Sequence, residues 1–141
     1  MTTIRSIQCG TRTLTHSYSP PDQLTPTEKT ATVRMLLQSR SGIYIEAACE
    51  TQEAKDTRPP RGSHLPGTFF YYNNWSFNAA GTVFKQETGV TIHEEFKNRV
   101  AVPIGMEDFE SKDVYYEYEP VSMHPCYKFR MILPAVMLLL N

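Results

Sequence analysis

The sequence predicts a mainly β protein. It reads as one domain over residues 1–141, an antiparallel β-sandwich of jelly-roll type or a small barrel, with about seven or eight strands and at most one short helix. Three observations point there. Apolar and polar residues alternate in several short segments, as they do along a half-buried strand. Turn-forming clusters such as Arg40-Ser41-Gly42, Asn78-Ala79-Ala80-Gly81 and Glu87-Thr88-Gly89 separate those segments. Fourteen of the sixteen aromatic residues lie between Phe69 and Phe129, which places the main core in the second half.

The elements follow in chain order. Residues 1–15 mix Thr, Ile and Cys without a helical period and read as a short, edge-lying strand. Residues 17–26 hold three prolines and form a connection. Thr25-Pro26-Thr27-Glu28 carries an N-cap, a proline at the first helical position and a capping-box glutamate, so a helical turn is expected near 26–30. Beyond it two readings stand for residues 26–39. The pattern continues as a helix, or Val33, Met35 and Leu37 belong to a strand of 31–38 paired with 43–50 in a hairpin. The hairpin accounts for more residues.

Residues 51–67 contain three prolines and no apolar pattern. A connection of that length in a compact domain is functional or disordered. Residues 68–77 then hold six aromatics on both faces of one expected strand, and Thr82–Gln86 returns as another. Residues 90–102 place Val90, Ile92, Phe96, Val100 and Val102 on one face at period two, a core-facing strand. Val114, Tyr116 and Tyr118 alternate with polar neighbours over residues 113–119. The last segment starts at Tyr127, alternates through Phe129 and Met131, and becomes continuously apolar to Leu140.

Composition narrows the function classes. Fourteen basic against fifteen acidic residues exclude the basic face of a nucleic-acid-binding domain, so direct contact with nucleic acid is not expected. The three cysteines are widely separated and odd in number, which is no disulfide framework. Residues 1–15 lack the apolar core of a signal peptide, and the ten-residue run ending at Leu140 is too short to span a bilayer, so the expected setting is intracellular or particle-associated. His124 and Cys126 are soft ligands two residues apart, but no second close pair accompanies them, and no metal or cofactor is expected.

Two polar residues interrupt the apolar row of residues 90–102: Glu94 and Asn98. A carboxylate on a core face is paired, protonated or facing a cavity, because an unpaired buried charge is costly. Glu94 is therefore a candidate acid or base. Asn98, Tyr71 or Tyr116 would polarise a substrate oxygen. The bland alternatives are a bulge that turns Glu94 outward and a structural ion pair. The surplus apolar surface carried by Phe70, Tyr72, Trp75, Met137 and Leu139 suggests an interface with further copies or other subunits. Acidic side chains crowd residues 107–119 and are expected to meet Arg58 and Arg61 of the same chain or a neighbour.

Taken together, these features predict a non-catalytic structural protein. It would be a β-sandwich building block of a homo-oligomer or larger assembly, a virion or phage capsid protein being the concrete version. The alternative is a small barrel isomerase, dehydratase or cyclase, or a carrier for an apolar small molecule, with Glu94 as its acid or base.

Overall fold

A computed structural model describes residues 24–107 and 109–131 of the chain. The expectations for residues 1–15 and for the apolar end bearing Met137 and Leu139 lie outside the described residues. Within them helices dominate, and the two strands found form one short ribbon. The sandwich or barrel expectation is overturned.

A single turn at Glu28–Thr30 opens the described chain. Thr25 and Glu28 close it reciprocally: the Thr25 N–H donates to Glu28 Oε2 at 2.7 Å, and the Glu28 N–H donates to Thr25 Oγ1 at 3.2 Å. The expected hairpin of 31–38 with 43–50 does not form. Thr32 instead caps a five-residue helix, α1 (Val33–Leu37), by accepting the Met35 N–H. A left-handed Ser39 (φ 55°) ends it, and the Arg40 N–H returns to Met35 O at 2.8 Å. The residues that were to form the second strand pair with no other strand, and Ile43, Tyr44, Ile45, Ala47 and Ala48 are all buried.

The expected loop 51–67 contains α2 (Gln52–Thr57), capped by the Thr51 side chain. Its arginines find partners other than the acidic stretch. Arg58 pairs with Glu50 at 2.8 Å, and Arg61 grips Glu28 with two nitrogens at 2.8 and 2.7 Å. Burial works to raise the Glu28 carboxyl, but the Arg61 guanidinium and the Thr25 bonds outweigh it and hold the group below the usual carboxylate range.

The aromatic run is not a two-sided strand. Asn73 accepts the Ser76 N–H at 2.8 Å and starts α3 (Asn74–Thr88), the longest helix. Trp75, Asn78 and Ala79 fall on its buried side at helical spacing, while Phe77 and the preceding Tyr72 lie outside. Asn78-Ala79-Ala80-Gly81, read as a turn, is the middle of this helix. Gly81 serves close packing there: a Cβ on it would sit 2.5 Å from the Tyr127 ring. Gly89 ends α3 in the left-handed region (φ 76°), its N–H on Lys85 O.

Residues 90–102 form α4 (Ile92–Phe96) and a π-type turn (Lys97–Ala101), not a strand. Ile92, Phe96 and Val100 are four apart, a spacing that suits a helix as well as period two. Thr91 and Glu94 decide between them by forming a reciprocal capping box, with 2.9 Å from the Thr91 N–H to Glu94 Oε2 and 3.1 Å from the Glu94 N–H to Thr91 Oγ1.

Two expected strands do form. After a turn at Ser111–Asp113, β1 (Val114–Glu117) pairs antiparallel with β2 (Cys126–Phe129), with Val114 opposite Phe129 and Glu117 opposite Cys126. One face of this ribbon sends Tyr116, Tyr127 and Phe129 around the His93 ring, with centroids 4.7–5.9 Å away. Burial among those rings lowers the His93 pKa. The core is double. Leu36, Ile43, Ile45, Trp75 and Ala79 form one part, and Ala101, Met106 and Phe109, with Phe96, Val114 and Phe129 against them, form the other.

His124 joins the first core to the ribbon. Its ring meets Trp75 edge-on at 5.3 Å, its Nδ1 lies 3.1 Å from Thr82 Oγ1, and Thr82 in turn lies 3.3 Å from the Tyr127 hydroxyl. Nε2 is buried with no hydrogen-bond partner among the described residues. Protonation would bury an unpaired charge, so the pKa is pushed down to about 4.

Two outcomes follow for stability. Gly81→Ala forces its Cβ into Tyr127 and is expected to cost about 1–3 kcal/mol, roughly 2–4 °C in Tm per kcal/mol. Adding Tyr127→Leu should recover part of that loss; simple summing of the two losses in urea unfolding would show that the collision is not the cause. For His124, the unfolded chain binds the proton near the ordinary 6.5 and the folded chain only near 4. The contribution is thus fully present above 6.5, falls away as pH drops between 6.5 and 4, and totals about 3 kcal/mol. Unfolding free energy measured across that window should slope downward toward acid, and His124→Gln should flatten the slope.

Candidate functional site

The site begins with how residues 63–71 are held. Gly67 donates its N–H to Arg40 O at 2.7 Å, and Tyr71 donates its N–H to Ser39 O at 2.8 Å. Gly42 (φ 69°) admits this approach, since a Cβ there would lie 2.9 Å from His64 O. The loop is therefore strapped across the start of the buried segment.

This strapping gathers polar groups on an aromatic bed. The Ser63 hydroxyl lies 3.0 Å from His64 Nδ1, and the Tyr44 hydroxyl lies 3.3 Å from the same nitrogen. Either hydroxyl can donate to it in the tautomer that protonates Nε2. The His64 ring stacks on Phe69 at 4.0 Å, and Tyr44 stands edge-on to Tyr71 at 5.6 Å. Burial, with Tyr71 beside it, pushes the Tyr44 phenol upward. Tyr71 donates its own hydroxyl to Ala54 O at 2.9 Å. A serine oxygen beside an imidazole lone pair is the arrangement in which a hydroxyl becomes a nucleophile.

Tyr72 points elsewhere. It is 60% exposed and its ring lies against Phe77 at 5.3 Å. Phe77 lines a mainly apolar groove of about 780 Å³ between α1 and α3, whose walls include Arg34, Leu37, Phe84, Ile92 and Tyr127. Consecutive tyrosines thus serve two neighbouring places: Tyr71 joins the Tyr44–His64 cluster, and Tyr72 packs on Phe77, a residue of the groove wall. The residues after them are committed to structure. Asn73 caps α3 and donates to Ile43 O at 3.1 Å, and Asn74 donates to Cys49 O at 2.6 Å.

The residues singled out from the sequence are dispersed. Glu94 is exposed at the start of α4, and Thr91 holds its carboxyl below the usual range. The premise of a core-facing carboxylate with a raised pKa is corrected: the capping box consumes it. Asn98 is exposed on the π-type turn. Tyr116 lies in the His93 cage, its phenol raised chiefly by burial, with Glu94 near enough to add to that rise. Tyr71 belongs to the other cluster. Phe70 and Tyr72 are exposed, but Trp75 is fully buried on α3. The sequence reading missed Tyr44, Ser63 and His64. Their one advance signal was a proline-rich loop ending in a serine–histidine pair.

No helix among the described residues is long and apolar enough to cross a membrane. No curated protein matches the chain. A family model described as Beta-lactamase matches residues 14–125, about four-fifths of the sequence. With the helical fold, that match overturns the capsid or virion building block, and it overturns the barrel isomerase and carrier alternative along with the β-barrel they required.

Proposed function

The chain belongs to the beta-lactamase family, and on that premise we propose that it serves acyl-transfer chemistry on ester, amide or lactam carbonyls, supplying the tyrosine-bearing wall of the site. The observation that carries the reading is Tyr72, a solvent-facing phenol just before the cap of α3 whose ring lies against Phe77 of the apolar groove. A phenol so placed can donate to a carbonyl oxygen or exchange a proton with a leaving group. The groove suits the apolar part of an acyl substrate.

The nucleophile is a separate matter. Class A β-lactamases and penicillin-binding proteins carry it in S-x-x-K, with S-D-N and K-T-G alongside. None of these strings occurs in the 141 residues given. The lysine-activated serine of that class is thus not among the 141 residues given, and the tyrosine-bearing wall is read as binding the carbonyl rather than attacking it.

A second reading rests on the 3.0 Å contact of Ser63 with His64. There Ser63 passes its proton to Nδ1 as Oγ bonds to the carbonyl carbon. The leaving group departs with that proton, and water later hydrolyses the acyl-serine. Tyr44 competes for the same nitrogen and favours the first reading.

Both are tested on the 141-residue chain. A β-lactam and an aryl ester are titrated while tyrosine ring resonances are followed by NMR, and intact mass is recorded. Tyr72 signals are expected to shift, and Tyr72→Ala should weaken binding at least about tenfold without altering the circular dichroism. An acyl adduct on Ser63, absent in Ser63→Ala, would establish the second reading in place of the first. A chain that neither shifts at Tyr72 nor acquires an adduct would end the proposal.

A further inference from the structure

We propose that Cys49, Cys126, Glu117 and Glu119 form a binding site for a soft divalent cation, zinc being the best match. The site is independent of the acyl-transfer reading and is built by the second face of the ribbon. Because strand residues alternate, the Tyr116, Tyr127 and Phe129 face packs on His93, and Glu117, Cys126 and Lys128 project from the other. Glu117 and Cys126 are direct cross-strand partners. Against this face sits Cys49, in the left-handed region (φ 62°), at the end of the buried segment.

The placement is held from several directions. Asn74 grips Cys49 O, and the Cys49 N–H donates to Glu119 Oε1 at 2.7 Å. Sγ of Cys49 and a carboxylate oxygen from each of Glu117 and Glu119 lie within 4.8 Å of one another. Cys126, directly across the ribbon from Glu117 on the same face, stands beside this group and would bring the fourth ligand atom. Four sulfur and oxygen ligands suit tetrahedral zinc, whose ligands stand roughly 3–4 Å apart for metal–ligand bonds of about 2.0–2.3 Å. Sulfur selects zinc or cadmium over calcium and magnesium.

A thiol and two carboxylates converge on one point, and a divalent ion relieves their mutual repulsion and releases the thiol protons. Lys128 is the built-in competitor. Its ammonium lies 3.5 Å from Glu117 Oε2, where it partly neutralises the group. Zinc binding displaces it toward solvent, which its long, partly exposed side chain permits.

The reduced chain is titrated with Zn²⁺ by calorimetry and with Cd²⁺ by ultraviolet absorption. One equivalent should bind, with a thiolate-to-cadmium charge-transfer band, proton release and a rise in Tm. Cys126→Ser and Glu117→Gln, both at the partly open face, should each weaken binding at least about tenfold, and Lys128→Gln should strengthen it. Absence of the charge-transfer band would overturn the site. So would zinc affinity that is unchanged in a Cys126→Ser chain whose circular dichroism shows it still folded.

Discussion

The structure depends on how one helix completes a piece of chain that has no ladder of its own. Residues 41–49 are largely buried, yet they pair with no strand. Buried backbone carbonyls need partners, and each left unpaired costs roughly 1–3 kcal/mol. The first half of α3 supplies them. Asn73 donates to Ile43 O, Asn78 to Ala48 O and Asn74 to Cys49 O, and the Ser76 hydroxyl lies 2.9 Å from that of Ser41. Trp75 and Ala79 fill the apolar space between those contacts. The polar residues of α3 are thus the substitute for a missing strand, and the helix and the segment form one unit.

Both functional regions hang from that unit. At its start, the straps from Arg40 and Ser39 to Gly67 and Tyr71 bring His64 and Ser63 over Tyr44. At its end, the Asn74 contact sets Cys49 against the ribbon. Asn73 and Asn74 therefore link the tyrosine-bearing surface to the thiol group through a single helical turn. A chain that lost the α3 start would lose both regions together, because neither loop carries enough buried surface to fix itself.

The ribbon shows how a short two-stranded element is made to persist. A lone hairpin is marginal in water. Here one face surrounds His93 with aromatic rings and presses Tyr127 onto Gly81, so the ribbon borrows its order from α3 and α4. The opposite face is thereby left to chemistry, with Glu117, Cys126 and Lys128 on it.

Local signals in the sequence determined the opening turn and the ribbon. Thr25 with Glu28 predicted a reciprocal cap that forms, and the alternation around Val114 and Tyr127 predicted the two strands. These features depend only on neighbours a few residues away. The larger misreading came from periodicity. Ile92, Phe96 and Val100 satisfy two periods at once, and an aromatic run with a buried Trp75 resembles a strand until Asn73 is recognised as a cap. Glu94 sits on a core-facing row at period two, but as the capping-box partner of Thr91 it faces solvent. Tertiary structure alone decided that His64 meets Tyr44 and that Cys49 meets Glu119. Those pairs are separated by 20 and 70 positions in the chain, and their contacts exist only because α3 completes the backbone of the buried segment that carries Tyr44 and Cys49.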